Sequence, residues 1–240
     1  MPQSSAIAGP RFAVYYAPPS GSPLWRFGCA ILGRDAGSGE ATARAQVAGF
    51  AADRLAAITA DAAFYGFHAT LKPPFALTAS ETAEGLQETA RAFAAQRQPF
   101  LAPALELGCL GGFVALMLDR PSPRLQALAD DCVRAFDAFR APSPAAEIAQ
   151  RRQAGLSPPQ DAHLIRWGYP YVFDCWRFHM TLSCRLDDRE RIRLLQALRP
   201  LALPAVAQPV TIDAICLFHQ DRRTLPFRLL ARFPFGSSGG

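Results

Sequence analysis

Histidine is the side chain whose ordinary pKa lets it both take and give a proton near neutral pH, and this sequence of 240 residues holds four of them. Two stand in matching settings. Phe67-His68-Ala69-Thr70-Leu71 and Phe178-His179-Met180-Thr181-Leu182 share the order aromatic-His-apolar-Thr-Leu, 179 − 68 = 111 residues apart. Side chains alternate between the two faces of a strand. Each copy therefore presents an imidazole and, about 7 Å further along, a hydroxyl on one face. His68, Thr70 and Lys72 share that face in the first copy; Arg177, His179, Thr181 and Ser183 share it in the second. Two imidazoles can act as base and acid on one substrate. The Thr70 and Thr181 hydroxyls can donate to charge that develops between them, with Lys72 and Arg177 as further cationic partners. A single His on a strand is usually structural, and it is the repeated context that singles out this pair. His163 and His219 lie outside the pattern and read as structural or exposed. His-x-Thr offers no second ligand at metal spacing, so the pattern calls for no metal and no other cofactor.

The elements that must hold these strands can be read from period and punctuation. Arg11 to Tyr16 is an expected strand, and the apolar run Leu24 to Leu32 a second extended piece. Thr42 to Ile58 has helical spacing at Val47, Phe50, Leu55 and Ile58. Pro73-Pro74 should end the first His strand. A helix is expected from Ser80 with Leu86, Ala90, Phe93 and Ala94 as its stripe. Ala104 to Leu110 and Phe113 to Leu118 read as a hairpin about Gly111-Gly112. A helix from Ser122 to about Phe139 follows. The segment from Arg140 to Tyr171 is too long for a plain connection, with a helix expected near Ala145 to Gln153. After the second His strand come a helix over Asp188 to Leu198, stopped by Pro200, and two strands, Val210 to Phe218 and Pro226 to Phe233. The order His strand, helix, hairpin occurs twice. The expected architecture is thus α+β in two pseudo-symmetric lobes, about 11–120 and 121–235, each with an antiparallel sheet, flanking helices and a shared cleft. Residues 1–10 and 236–240 read as flexible ends.

Composition bounds the function. Half of the residues are hydrophobic, and charge is sparse enough to argue against disorder. The net charge of +5 suits an anionic ligand without marking a nucleic-acid scaffold. No apolar run is long enough to span a membrane and no signal peptide is read. The six cysteines contain no C-x-x-C pair and read as reduced thiols of a cytoplasmic protein. Oligomeric state is not legible.

The paired His-x-Thr motifs resemble those of the 2H phosphoesterase superfamily. The flanks Tyr65-Gly66-Phe67-His68 to Phe75 and Trp167-Gly168-Tyr169-Pro170-Tyr171-Val172 are similar to a bacterial branch of unknown function linked to phosphonate degradation. The resemblance runs from about Arg11 to Phe233. It implies a bilobal fold whose motif strands line one cleft, with His68, Thr70, His179 and Thr181 as catalytic residues. It further implies metal-independent hydrolysis of a small cyclic phosphodiester, such as a ribose cyclic phosphate. Tyr65, Trp167, Tyr169 and Tyr171 can stack on a base or cover the cleft, or be plain core aromatics. Two alternatives share the cleft: an idle phosphate- or RNA-binding module, and an RNA-end-processing cyclic phosphodiesterase. Both ask for a longer basic track than the scattered arginines provide.

Overall fold

Strand β1 (Arg11–Tyr16) shows how the chain sorts its side chains. Phe12, Val14 and Tyr16 enter the main apolar core, while Ala13 and Tyr15 join a smaller cluster on the opposite face with Trp25, Phe218 and Phe227. The computed structural model describes residues 9–236. The expected flexible ends, 1–10 and 236–240, lie almost wholly outside the described residues.

The run expected as a second extended piece is helix α1 (Pro23–Leu32). The Ser22 hydroxyl accepts from the Trp25 N–H, Pro23 sits where no N–H is needed, and Gly33 at φ 69° closes the end. Continuous apolarity here reflects a helix buried on most sides, which period alone does not separate from a buried strand. Helix α2 (Ala52–Tyr65) starts later than its spacing suggests, because Gly49 at φ 77° holds the chain in a turn. Strand β2 (Ala69–Ala76) runs on through Pro73-Pro74, α3 (Ala83–Ala95) is capped by Thr82, and β3 is Phe100–Leu101. Strands β4 (Leu105–Leu110) and β5 (Phe113–Leu118) form the expected hairpin, with Gly111 and Gly112 both at positive φ.

Helix α4 (Pro123–Ala135) follows Ser122. The long segment holds two helices, α5 (Ala145–Arg152) and α6 (Pro158–Trp167), then a 3-10 turn at Phe173–Cys175. Strand β6 is only His179–Thr181. Helix α7 (Asp188–Val206) continues past the expected stop, through Pro200 and Pro204, with Leu194, Leu198, Ala202 and Ala205 buried along one side. That burial outweighs the hydrogen bonds the two prolines remove. Strands β7 (Thr211–Ile212), β8 (Ala214–Gln220) and β9 (Arg228–Pro234) end the described chain.

The arrangement is α+β with two sheets, one of seven strands in the order β4-β5-β6-β2-β1-β8-β9 and one of two, β3-β7. The paired strands are antiparallel. The expectation of a separate sheet in each half is corrected here. The β4-β5 hairpin of the first half pairs with β6 of the second, and β8 of the second half pairs with β1 of the first. β2 and β6, which carry the two motifs, meet at the centre. Behind them α3, α4 and α7 contribute Phe93, Leu125, Cys132 and Leu198 to one continuous core. None of the helices among the described residues is long and apolar enough to cross a membrane. The six cysteines are free thiols, of which Cys29, Cys132 and Cys216 are buried.

Candidate functional site

β2 and β6 pair at Ala69 and Met180, both fully buried in the core. In an antiparallel pair the next residue on each side keeps the opposition and points to the other face. His68 therefore stands across from Thr181, and Thr70 across from His179. The four motif side chains form a square on the face opposite the core. Directly opposed residues are about 5 Å apart and diagonal ones roughly 7–8 Å. The hydroxyl nearest each imidazole across the strands belongs to the other motif.

All four residues line one cleft of about 350 Å³, together with Tyr65 and Tyr169. An adjoining hollow of about 500 Å³ shares Thr70, Phe113, Tyr169 and His179 with it and is lined further out by Tyr171 and Arg177. The Arg177 guanidinium donates to the carbonyls of Asp174 and Trp176. Two expected binding residues are elsewhere. Trp167 lines a neighbouring crevice with Arg140 and Glu147, which shares Arg11, Pro73 and Pro74 with the cleft, and packs on Phe173. Lys72 is 1% exposed, and its ammonium donates to the Val133 carbonyl and the Asp137 carboxylate. The cause is local. β1 and β2 pair Tyr15 with Thr70 but Val14 with Lys72, so an extra residue lies between them on β2 and turns Lys72 to the helix side. Burial pushes its pKa down to about 8, against the pull of Asp137.

Both imidazoles are held in the same way. His68 Nδ1 lies 2.8 Å from the Gly66 carbonyl and His179 Nδ1 lies 2.8 Å from the Arg177 carbonyl. A carbonyl only accepts, so each Nδ1 carries the hydrogen and each neutral ring keeps its lone pair on Nε2. For His68 that Nε2 accepts from the Thr70 hydroxyl at 3.2 Å. Burial lowers the pKa of both rings. For His68 the fall reaches about 4, with the Gly66 carbonyl opposing it and His179 adding a little repulsion. Two neutral bases therefore point unprotonated nitrogens at a shared space. Thr70 is fixed from behind, since the Trp176 indole N–H donates to its carbonyl at 2.8 Å.

Several site residues were not legible in sequence. Tyr15 stacks on His68, and Arg11, Asp61, Phe113 and Arg151 complete the cleft wall. Arg11 and Tyr15 are four residues apart on an expected strand and so share a face, which was the available signal; Arg151 carried none. Of the remaining histidines, His219 lies 3.4 Å from the Asp221 carboxylate and His163 Nε2 lies 2.6 Å from that of Asp174. His163, Asp174 and Cys175 bring three potential metal donors within 4.8 Å of one another. Asp174 and Cys175 also line the outer hollow, which Thr70 and His179 share with the cleft.

Comparison with known proteins narrows the reading. Residues 70–228 match a family model described as "Protein of unknown function (DUF1045)". Two relatives named "Ribose 1,5-bisphosphate phosphokinase PhnN" match nearly the whole chain. The one from Janthinobacterium sp. (strain Marseille) is 38% identical over 233 residues, covering 95% of this chain and 51% of that protein. The one from Laribacter hongkongensis (strain HLHK9) is 38% identical over 223 residues, covering 91% and 50%. The chain thus spans about half the length of the curated relatives it matches. Among solved structures, E. coli LigT complexed with 3'-AMP is 14% identical with a TM-score of 0.39, covering 95% of this chain and 99% of that one. A conserved protein of unknown function from Agrobacterium tumefaciens, ATU0111, is 14% identical with a TM-score of 0.43, covering 94% and 86%.

These relatives correct the expected activity. Both are named as phosphokinases, and a phosphokinase transfers a phosphoryl group. The reading as a hydrolytic 2H-type cyclic phosphodiesterase is overturned on that finding, and the idle-module and RNA-end-processing alternatives are set aside with it. With more than half of its length matched by the model, this chain belongs to the DUF1045 family, a family described as proteins of unknown function.

Proposed function

We propose that the cleft binds a phosphorylated ribose and serves phosphoryl transfer on it. The observation that carries this reading is the square of His68, Thr70, His179 and Thr181, two neutral imidazoles with Nε2 unprotonated and two hydroxyls on one cleft floor. In this scheme one Nε2 takes the proton from the sugar hydroxyl as its oxygen bonds to the terminal phosphorus of a phosphoanhydride donor. The P–O bond to the rest of the donor breaks and that remainder leaves with the electron pair, while the hydroxyls of Thr70 and Thr181 donate to the non-bridging oxygens of the group in transfer. The ribose phosphate is suggested by the substrate in the relatives' names. The reading is confined to the sugar-phosphate side of the transfer. The sequence holds no G-x-x-x-x-G-K-[ST] stretch, and its one lysine, Lys72, is buried behind the sheet. The family resemblance, with a lobe on each side of this cleft and residues 11–235 acting as one unit, is part of the same proposal.

The test is calorimetric titration of the purified chain with ribose 5-phosphate and with ribose. Binding of the phosphate ester alone, lost in the His68→Ala, His179→Ala double variant, is the expected result. Equal binding of both compounds, or of neither, overturns the reading.

A further inference from the structure

The cleft has a second pole. Arg11 lies four residues before Tyr15 on β1, on the same face and about 13 Å away along the strand. Its Nε donates to the Gln220 side chain at 2.7 Å, its guanidinium lies 5.1 Å from the centre of the Phe227 ring, and Tyr65 lines the same cleft. Among the described residues it forms no ion pair. Burial and the neighbouring charge of Arg223 both disfavour its charged form. A half-buried cation held by neutral groups is an electrostatic cost in the free protein.

Arg151 reaches the same cleft from α5, its guanidinium 5.0 Å from the centre of the Tyr169 ring. It shares a single carboxylate with another arginine, since Glu147 takes Arg151 at 3.1 Å and Arg223 at 3.5 Å. Its Nε is buried with no hydrogen-bond partner. Asp61 also lines the cleft, and among the described residues it forms no ion pair with Arg11 or Arg151. Among the described ion pairs, then, Arg11 has no carboxylate and Arg151 only a shared one.

We infer that Arg11 and Arg151 form a second phosphate seat, so that the ligand carries two phosphoryl groups, one over the imidazole floor and one between the guanidiniums. This rests on the sugar-phosphate reading of the cleft and adds the residues that hold the second phosphoryl group of a pentose bisphosphate, the class of compound in the relatives' names. Guanidinium forks suit a phosphate dianion through paired N–H donors, and a bound dianion would remove the cost of holding Arg11 unpaired.

The experiment compares the affinity of the purified chain for ribose 1,5-bisphosphate and ribose 5-phosphate. The wild-type chain is expected to prefer the bisphosphate by at least about tenfold, the size of one charge-assisted contact. Arg11→Gln and Arg151→Gln should each bring that ratio towards one. His68→Ala should weaken both compounds and leave a preference. Arg151 lies on α5, a helix with no fully buried residue, so its variant keeps the test independent of any folding defect from Arg11→Gln. Equal binding of the two compounds by the wild-type chain overturns the second seat and leaves the sugar-phosphate reading standing. A ratio unmoved by both substitutions does the same. Binding of neither compound overturns both.

Discussion

His68 and Tyr15 stack face to face, their ring centroids 3.6 Å apart and their planes 16° from parallel. One whole face of the imidazole is thereby closed to water. This contact, with the surrounding cleft wall, is why protonation of His68 is driven down to about 4. The ring is prepared as a base, with its lone pair directed by the Gly66 carbonyl behind it.

Stability should follow from that shift. The folded-state pKa of His68 lies below the unfolded value of about 6.5, so the unfolded chain binds the extra proton first. Its contribution is fully present above about pH 6.5 and is lost as the pH falls towards 4. The lowered pKa of His179 acts in the same direction. Urea midpoints measured from pH 4 to 8 should be level at the top of the range and decline at the bottom. His68→Gln should make the decline shallower; an unchanged slope would count against a depressed His68.

Removing the stacked ring should reverse part of the effect. In Tyr15→Leu the imidazole regains water on one face, and its NMR titration midpoint should rise towards about 6.5. The aromatic pair should also be missed by about 0.5–1.5 kcal/mol in stability beyond lost area. A His68 midpoint that stays near its wild-type value would assign the shift to other walls of the cleft.

Gly66 positions the carbonyl that fixes the tautomer, from a backbone at φ 82° that L side chains rarely adopt. A Cβ there would lie 2.6 Å from the Ala36 Cβ. Gly66→Ala should cost about 1–3 kcal/mol in strain. It should also weaken the Nδ1–H bond of His68, seen as a changed imidazole ¹⁵N pattern. A variant with native stability and an unaltered imidazole pattern would show that the loop can shift freely.

Lys72 should matter to folding and not to the ligand. Lys72→Met keeps an apolar stem in the core and leaves Asp137 paired with Arg140 at 2.8 Å, so it should be close to neutral in stability. Asp137→Ala leaves a buried ammonium without its carboxylate and should cost about 3–5 kcal/mol. Ribose phosphate affinity should be unaffected in Lys72→Met. A clear loss there would return Lys72 to the cleft.

The elements nearest the chemistry were the most legible, because strand alternation is a local property. Arg11 to Tyr16 and the Gly111-Gly112 hairpin stand where period and turn residues place them. The paired motifs share one cleft, as their repetition suggests. What was illegible depended on distant partners. The run after Pro23 is a helix because its ends are capped and its sides are covered. Pro200 fails to stop α7 because burial beyond it holds the helix together. Lys72 leaves the His68 face through one extra residue that only its pairing with β1 reveals. Two halves of similar element order suggested two sheets, but the exchange of hairpins between halves is settled by which strand edges meet.

That exchange governs when the cleft can exist at all. β1 is flanked by β2 and by β8, and the register joins Arg11 to Gln220, 220 − 11 = 209 residues later. The first motif strand likewise waits for a partner 111 residues on, Ala69 for Met180. Closing loops of that length costs conformational entropy before any contact repays it, and folding slows accordingly. During synthesis β1 must remain without its neighbour β8 until the chain has emerged as far as Gln220. The floor of the cleft thus cannot close before β6 has emerged, and a chain cut short anywhere before β8 would present an open sheet edge beside β1 where the folded protein has β8.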